Sequence, residues 1–378
     1  MSDFSFDRLS RFPDVEADNL FAVDASDRLI LDEAAGVLAG AGAGEVVVLE
    51  DRYGALTLGA AALHAARGIR VHQDVLSGEL ALSLNAAGAG LSDTYRSLDL
   101  GEELLANARV VLIQLPRSLA ALDEVADAIR RFAAPDVVVI AGGRLKHMTP
   151  AMNEVFRRHF GELQVSPARQ KSRVLRAAAP IPSAAQAAVS TWPNSVEHGD
   201  LGLTVCAHGA AFAGATIDIG TRYLLEFLDR MKTDARSAID LGCGTGVLAA
   251  ALARSRPALR VTATDQSAAA VASARTTMLA NELADRVTVV RDDALRSQPD
   301  ASAELIVLNP PFHIGSSVHA GIALKLFEDA GRVLQPGGEL WTVWNTHLGY
   351  RPALTRLVGP THQVGRNAKF TVTVSTGR

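Results

Sequence analysis

One pattern of short apolar runs and helix-length segments occurs twice along the chain, and this repeat limits the possible folds more than any other feature. Four blocks of the first half lie over four blocks of the second half in the same order: 46–62 over 238–254, 69–74 over 259–265, 108–122 over 303–317, and 142–152 over 337–347. The offset stays at about 190–195 residues, and a chain of 378 residues has room for one such unit in each half. The chain is therefore expected to hold two similar domains.

The second copy of the repeat predicts its own secondary structure most clearly. Strands are predicted at 237–240, 260–264, 286–290, 304–308, 339–345 and 369–375, and helices at 247–254, 268–281 and 322–334. Strands separated by helices of this length are typical of a doubly wound, mostly parallel sheet. The sequence predicts an α/β protein of two tandem Rossmann-like domains, at 1–180 and 200–378, with a Pro- and Ala-rich linker at 181–199.

Composition excludes several other classes of protein. The chain is 48% hydrophobic and 21% charged, which is typical of a globular protein. Its start has no apolar segment of the kind that a signal peptide needs, and no apolar stretch approaches the roughly 18 residues of a membrane span. Two cysteines, Cys206 and Cys243, fit a reducing cytoplasm, and no Cys/His cluster has the spacing of a metal site. We therefore expect a cytoplasmic protein with neither membrane nor metal.

Charge is distributed unevenly along the chain. Residues 1–140 carry 11 Arg against 22 acidic residues, whereas residues 141–180 carry eight Lys and Arg against two. Such a basic block indicates either a footprint for a polyanion or an ordinary solvated face, and charge alone does not separate the two. Its candidate ligand-binding side chains are Arg144, Lys146, Arg169 and Lys171.

A glycine-rich turn, "DLGCGTG" at 240–246, follows a predicted strand and opens a predicted helix. Glycines allow a tight turn and let a ligand approach the backbone, and the helix N-terminus favours an anionic group. Asp265 ends the next strand, about 20 residues on, where an acid binds the two hydroxyls of a ribose. Asp292 or Asp293, at the end of the third strand, is placed to recognise an adenine amine or simply to form a turn.

The fourth strand ends in "NPPFH", at 309–313. Asn309 offers a carbonyl acceptor, and because proline has no N–H, the carbonyl of Pro310 is predicted to be a second free acceptor. Two acceptors suit an exocyclic amine, which has two N–H donors. Phe312 either stacks on a flat base or packs in the core, and His313, which no acid in the sequence accompanies, is expected to be structural.

These motifs together resemble the class I S-adenosylmethionine-dependent methyltransferases, among which Asn-Pro-Pro-Phe/Tyr marks enzymes that methylate planar amines and amides. Segments 212–228, 337–345 and 365–372 are similar to the bacterial ribosomal RNA guanine-N2 methyltransferases, which carry two tandem domains. The resemblance implies S-adenosylmethionine as cofactor and guanine N2 of ribosomal RNA as methyl acceptor. It implies three residue groups: Asp240, Gly242, Gly244, Gly246, Asp265, Asp293 and Asn309 for the cofactor; Asn309, Pro310 and Phe312 for the guanine; and Phe212, Asp218, Gly220 and Thr221 to close the site.

The first domain departs from this pattern at both of its corresponding turns. Glu50, Asp51, Arg52 and Tyr53 stand where the second copy has Gly242 to Thr245, and "QLPRS" at 114–118 replaces "NPPFH". Side chains there would fill the space of a cofactor, and acids would repel its carboxylate. We therefore predict no cofactor in the first domain, a structural or RNA-binding role for it, and a monomeric protein whose partner is ribosomal RNA or a ribosomal subunit.

Two other functions stay open from the sequence alone. The same chemistry would serve the N6 amine of adenine in nucleic acid or a glutamine amide in a protein. A non-catalytic RNA-binding factor of ribosome assembly is the alternative outside enzymes, although the intact glycine turn and Asn309 argue against it.

Overall fold

The computed structural model describes residues 4–182, 190–311 and 317–378, with the side chains of 317–320 left aside. The chain divides into two compact units, Met1–Trp192 and Pro193–Arg378. Residues 183–189 of the predicted linker lie outside the described residues, and the domain limits stay a prediction. Within the described ranges, no helix is both long and apolar enough to cross a membrane.

The first unit is built around one seven-stranded sheet. Its strands are β1 (Val46–Leu49), β2 (Ile69–His72), β3 (Tyr95–Ser97), β4 (Val110–Gln114), β5 (Val138–Arg144), β6 (Phe160–Val165) and β7 (Ser172–Pro180). Its helices are α1 (Ala25–Ala39), α2 (Ala55–Leu63), α3 (Leu76–Ala89), α4 (Glu102–Leu105), α5 (Leu119–Phe132) and α6 (Pro150–His159). The strand order across the sheet is β3-β2-β1-β4-β5-β7-β6.

The second unit repeats this plan after a short hairpin of β8 (Asn194–His198) and β9 (Leu203–Ala207). Its sheet strands are β10 (Ser237–Leu241), β11 (Arg260–Asp265), β12 (Val287–Arg291), β13 (Ala303–Leu308), β14 (Leu334–Asn345), β15 (Thr361–Arg366) and β16 (Phe370–Thr376). Its helices are α7 (Ile219–Leu225), α8 (Val247–Ser255), α9 (Ala268–Ala280), α10 (Ser317–Val333) and α11 (Arg351–Leu357). The order β12-β11-β10-β13-β14-β16-β15 matches that of the first sheet strand for strand.

Both sheets are parallel over five strands and antiparallel over the last two. In the second unit β10, β11, β12, β13 and β14 pair in parallel, whereas β16 runs antiparallel to both β14 and β15. In the first unit β7 is likewise antiparallel to β5 and β6. The predicted architecture of two tandem Rossmann-like domains with mostly parallel sheets is confirmed.

The central strands are buried on both faces, which explains runs of consecutive apolar residues such as 305–308 in β13. Along β13, Leu305 and Val307 join the core on one face of the sheet, while Ile306 and Leu308 join the core on the other. The alternation follows from the two-residue period of a strand. Helices cover both faces, so the polar ends of the strands are left to form sites at the edge of the sheet.

The hairpin strand β9 is covered along one edge by polar side chains of α9. The N–H groups of Thr204, Cys206 and His208 donate to Asn281 Oδ1, Thr277 Oγ1 and Ser273 Oγ, at 2.9–3.0 Å. The three acceptors are spaced four residues apart, and so they share one face of the helix. Without this cover β9 would present an unpaired strand edge.

Candidate active site

The glycine turn after β10 lines open space with two of its glycines and packs with the third. Gly242, Gly244 and Gly246 all have positive φ, at 70°, 53° and 80°. A Cβ atom added at Gly242 or Gly244 would meet nothing within 4 Å, whereas one at Gly246 would lie 2.8 Å from Met278 Cε. The first two glycines therefore leave room for a ligand against the backbone, and the third lets α8 begin close to α9.

Asp265 at the end of β11 is tied to this turn. Its Oδ2 accepts the N–H of Gly244 at 3.0 Å, and its Oδ1 accepts the N–H of Ser267 at 2.9 Å. The side chain is half-buried, so the carboxylate stays accessible at the edge of the sheet. The structure thus brings Asp265 and the glycine turn together, as the spacing of the two motifs indicated.

Asp240 is a buried carboxyl that joins β10 to α8. Its Oδ2 accepts the N–H of Ala249 at 2.9 Å, while its Oδ1 is buried without a partner among the described residues. Burial raises the pKa of Asp240 to about 7, against the lowering effect of the Ala249 N–H. A buried acceptor without a donor is costly, which is the pattern of a site that awaits a ligand or water.

The two acids after β12 have different surroundings. Asp292 accepts the backbone N–H and the hydroxyl of Ser297, at 3.0 and 2.7 Å, and thus closes a local turn. Asp293 is also buried and pairs with Lys325 of α10, whose Nζ lies 2.5 and 2.6 Å from its two oxygens. Lys325 was not found from the sequence, because a pair 32 residues apart leaves no local signal.

Asn309 directly follows β13, the strand that neighbours β10 in the sheet. Its amide nitrogen donates to Asp218 Oδ2 at 3.0 Å and to Thr221 Oγ1 at 2.9 Å. Both N–H groups are used, whereas Oδ1 is buried and has no partner in the described part of the chain. The orientation of the amide is therefore fixed, and its oxygen is an open acceptor.

The segment at 218–221 holds this amide in place. Asp218 caps α7, and its Oδ2 accepts the N–H groups of Gly220 and Thr221 at 2.8 and 3.2 Å. A Cβ atom at Gly220 would lie 2.9 Å from Asp218 Oδ2 and 3.3 Å from Asn309 Oδ1, so only glycine fits there without movement. The sequence assigned this segment to closing the site, and the structure adds a contact with Asn309.

The remaining candidates of this site are placed as follows. Phe212 is 59% exposed, on the segment that precedes α7. Pro310 is buried and Pro311 is exposed, while Phe312 and His313 lie outside the described residues. Among the residues that the structure describes, no group of three or more His, Cys, Asp or Glu could hold a metal ion.

The turn after β1 in the first unit is filled by its own side chains. Asp51 is buried and accepts the N–H groups of Leu56 and Thr57 at 2.7 and 2.8 Å, and burial raises its pKa to about 7. Tyr53 is 8% exposed, and its hydroxyl donates to Asp14 at 2.7 Å. In the second unit, the carboxylate that accepts an N–H from α8 is that of Asp240, on strand β10. In the first unit, Asp51 inside the turn takes this role for α2.

The amide at the end of β4 shows what the second unit lacks. Gln114 occupies the position of Asn309 and contacts the first turn of α1: its Nε2 donates to Ser26 Oγ at 3.0 Å and to Asp27, and its Oε1 lies 3.3 Å from Ser26 Oγ, whose hydroxyl also contacts Asp24. Asp24 caps α1 as Asp218 caps α7. The amide–helix contact is therefore common to both units, but only in the second does the amide oxygen have no hydrogen-bonding group within reach among the described residues.

The four basic candidates of the first unit are not equivalent. Arg169 forms an ion pair with Asp32, whereas Arg144 is half-buried and both Lys146 and Lys171 are exposed. The N–H of Leu145 donates to the carbonyl of Lys171 at 2.9 Å, which places the residue after β5 beside the residue before β7.

Comparisons with protein families divide the chain in the same two halves. The family described as "Methyltransferase small domain" matches residues 202–374, and the family described as "RLMG N-terminal domain" matches residues 2–180.

Relatives and a solved structure resemble the chain over nearly its whole length. Proteins named "Ribosomal RNA large subunit methyltransferase G" from Streptomyces avermitilis and Pseudomonas aeruginosa PAO1 are each 36% identical, covering 96% of this chain and 95% and 96% of their own. The structure of the Thermus thermophilus 16S rRNA N2 G1207 methyltransferase RsmC, in complex with AdoMet and guanosine, superposes with a TM-score of 0.72 at 21% identity. That match covers 96% of this chain and 97% of the other, and it shows the shared fold.

Proposed function

The chain belongs to the family of ribosomal RNA large subunit methyltransferase G, and from this premise we propose that it transfers a methyl group from S-adenosylmethionine to guanine N2 in ribosomal RNA of the large subunit. The family name supports the RNA and the subunit. The chain shares the architecture of a solved guanine-N2 methyltransferase bound to AdoMet and guanosine, which supports the N2 amine of guanine as the methyl acceptor.

A single observation carries the proposed chemistry: the buried oxygen of Asn309 has no donor among the described residues, while both hydrogens of its amide are already bound. An exocyclic amine has two N–H donors and would satisfy this oxygen with one of them. The carbonyl of Pro310 is the proposed acceptor of the second, because the proline at 311 removes the N–H that would otherwise follow.

The residues near the glycine turn fit the cofactor. Gly242 and Gly244 leave open space beside the backbone, Asp240 has an unmatched buried oxygen, and Asp265 offers a carboxylate beside the turn, at the end of the next strand, where an acid binds a ribose in such folds. We assign Asp293 to the adenine, with Lys325 holding its carboxylate in place. When bound, S-adenosylmethionine supplies an electrophilic methyl group on sulfur.

Asn309 and Pro310 are proposed to act by positioning the amine. The lone pair of a guanine amine is delocalised into the ring, and so the free amine is a weak nucleophile. Holding both N–H groups on fixed acceptors keeps the nitrogen nearer to tetrahedral geometry and directs its lone pair towards the methyl group. No base is needed beforehand, since the amine loses its proton after transfer. Phe312 is assigned to the face of the base.

Replacement of Asn309 tests this proposal. In Asn309→Ala, methyl transfer to unmodified 23S rRNA should fall by about 100-fold or more, while the affinity for S-adenosylmethionine measured by calorimetry changes little. Asn194→Ala, which truncates an exposed asparagine of the same unit, is the matched control. Unchanged turnover in the Asn309 variant would refute the assignment.

Mass spectrometry of the modified nucleosides identifies the methyl acceptor. N2-methylguanosine in 23S rRNA is the expected product. If N6-methyladenosine were found instead, the methyl acceptor would be adenine. If methylglutamine were found in a ribosomal protein, the acceptor would be a glutamine amide. Absence of cofactor binding would favour an assembly factor.

We also propose that the enzyme is a cytoplasmic monomer that acts on ribosomal RNA or a ribosomal subunit. The duplication supports the monomer, because a chain that already carries two similar units can do without a partner subunit. Light scattering after gel filtration measures the mass directly, and a value twice the 39.8 kDa of the chain would contradict this.

A further inference from the structure

Asn345, the last residue of β14, has a side-chain oxygen that is buried and has no partner among the described residues. It directly precedes the short 3₁₀ turn Thr346–Leu348, where an asparagine usually caps the turn with its side chain. No such capping hydrogen bond forms here, so the oxygen is not used locally. A buried acceptor without a donor costs free energy, which a ligand with an N–H group would recover.

Asn345 and Asn309 lie on the same face of two neighbouring strands. In the parallel pairing of β13 with β14, Val307 is level with Trp341, and both side chains belong to the core that also includes Leu224 of α7. Side chains on one face of a strand recur every second residue, so Asn309 and Asn345 project to that same face. Asn345 stands one such step further out than Asn309, at the carboxyl edge of the sheet.

The first turn of α7 lies between the surroundings of the two amides. In the antiparallel pairing of β14 with β16, Asn345 is opposite Phe370. A Cβ atom added at Gly220 of α7 would lie 3.4 Å from Phe370 Cε1 and 3.3 Å from Asn309 Oδ1. Gly220 therefore packs beside Asn309 on one side and beside the cross-strand neighbour of Asn345 on the other, so that the two amides frame one site.

The order of the strands separates Asn345 from the residues that are assigned to the cofactor. Asp240, Asp265 and Asp293 belong to or follow β10, β11 and β12, in a sheet of order β12-β11-β10-β13-β14. Asn345 ends β14, on the opposite side of β13. The ligand of its oxygen is therefore the methyl acceptor and not the cofactor.

We propose that Asn345 Oδ1 accepts the N1–H of the target guanine and so determines the specificity for guanine over adenine. Guanine carries this N–H donor directly beside its N2 amine, so a base whose amine is held at Asn309 presents the donor to the next acceptor along the edge. Adenine has an unprotonated N1 beside its N6 amine, and two acceptors would then face each other without a hydrogen. This inference rests on the proposed function, which makes guanine N2 the methyl acceptor.

A base analogue at the methylated position tests the proposal. 2-Aminopurine keeps the amine of guanine but has no N1–H. Two 23S rRNA fragments, with guanine or 2-aminopurine at that position, are compared by kcat/KM for wild-type protein and Asn345→Leu. Wild type should prefer guanine by at least about 100-fold. Asn345→Leu should methylate guanine about 10- to 100-fold less efficiently but stay within about threefold of wild type on 2-aminopurine.

Thr342→Val is the matched control for this comparison. Thr342 is on the same strand, and its hydroxyl is also buried without a partner in the described part of the chain. It pairs with Leu308, however, which belongs to the core on the other face of the sheet. Thr342→Val should therefore keep the wild-type preference for guanine, as should Asn345→Asp, which retains an acceptor oxygen. Thermal midpoints show which variants are folded, and Asn345→Ala takes the place of Asn345→Leu if the latter unfolds.

The outcomes distinguish this inference from the proposed function. If wild-type protein methylates guanine N2 but Asn345→Leu slows transfer to both fragments by the same factor, Asn345 has a structural role and the inference is wrong, while the proposed function stands. Equal kcat/KM of wild type on the two fragments would overturn the inference in the same way. If wild type methylates neither fragment and forms N6-methyladenosine in the RNA, the proposed function is wrong instead.

Discussion

Replacing Asn309 by aspartate keeps an acceptor oxygen at this position but removes the N–H groups that orient it, and so tests whether the orientation matters. Asn309 Nδ2 lies 3.0 Å from Asp218 Oδ2, and aspartate has the same shape as asparagine. In Asn309→Asp a carboxylate oxygen takes the place of the donor nitrogen. Two carboxylates would then face each other at hydrogen-bond distance, and the pair cannot remain fully ionised.

The size of this effect follows from the distance. Two unit charges 3.0 Å apart repel by about 5 kcal/mol at an effective dielectric constant of about 20. That energy corresponds to about four pH units, so the pair should hold one shared proton until about pH 8. With the proton in place, the new carboxyl donates to Asp218 and keeps its other oxygen as an acceptor, which restores the contact with Asp218 although the donation to Thr221 is lost.

The expected result is an enzyme that works only at lower pH. Methyl transfer by Asn309→Asp should be measurable at pH 6 and fall about tenfold per pH unit above about pH 8. Wild-type protein should lack this fall, and Asn309→Ala should be slow at every pH. Single-turnover transfer of a radiolabelled methyl group, at saturating cofactor and RNA, measures the step directly.

One result would refute the reasoning. If the rate of Asn309→Asp has the same pH dependence as the rate of Asn309→Ala, the contact with Asp218 does not orient the acceptor. The thermal midpoint of the folded variant, measured over the same pH range, shows whether it stays folded in each assay.

Three further predictions concern the same unit. In Asp240→Asn the thermal midpoint should rise relative to wild type as pH increases from 4 to 7. Burial raises the native pKa of Asp240 to about 7, so wild-type stability decreases over this range, in which the carboxyl of the unfolded chain ionises first. Parallel midpoints of the two proteins by calorimetry would contradict this. Gly246→Ala should destabilise by about 1–3 kcal/mol because its φ is 80° and its Cβ would lie 3.1 Å from Ala274 Cβ. Gly242→Ala has a φ of 70° but open space, so it should lose only about 1 kcal/mol, fold, and bind cofactor weakly; denaturation and calorimetry distinguish the two variants. Thr221→Val should slow transfer several-fold and Thr221→Ser should not, since serine keeps the hydroxyl acceptor; equal rates would argue against this hydrogen bond.

The fold could be predicted from sequence because its signals are local. The strand β13 contains the apolar run 305–308, and the turn after β10 carries glycines where the backbone needs positive φ. Because the pattern occurs twice in the chain, each element could be predicted from two aligned segments. The residues at strand ends could be predicted to share one edge, since parallel strands bring their carboxyl ends together.

Contacts between distant residues could not be predicted in this way. The orientation of the Asn309 amide depends on Asp218 and Thr221, which lie 91 and 88 residues earlier. The pairing of Lys325 with Asp293 and the neutralisation of Arg169 by Asp32 are also set by packing. A sequence pattern states which side chains reach an edge, but their hydrogen-bond partners follow only from the folded positions of other elements.

The difference between Gln114 and Asn309 also bears on the stability of the site before it binds ligand. Both ends of the Gln114 amide lie within hydrogen-bond distance of α1, whereas Asn309 leaves a buried oxygen without a partner among the described residues, as does Asp240 at the start of the glycine turn. Each unmet acceptor costs about 1–3 kcal/mol. Cofactor with guanosine should therefore slow the exchange of amide hydrogens around Asn309 and Asp240, relative to the protein without ligand.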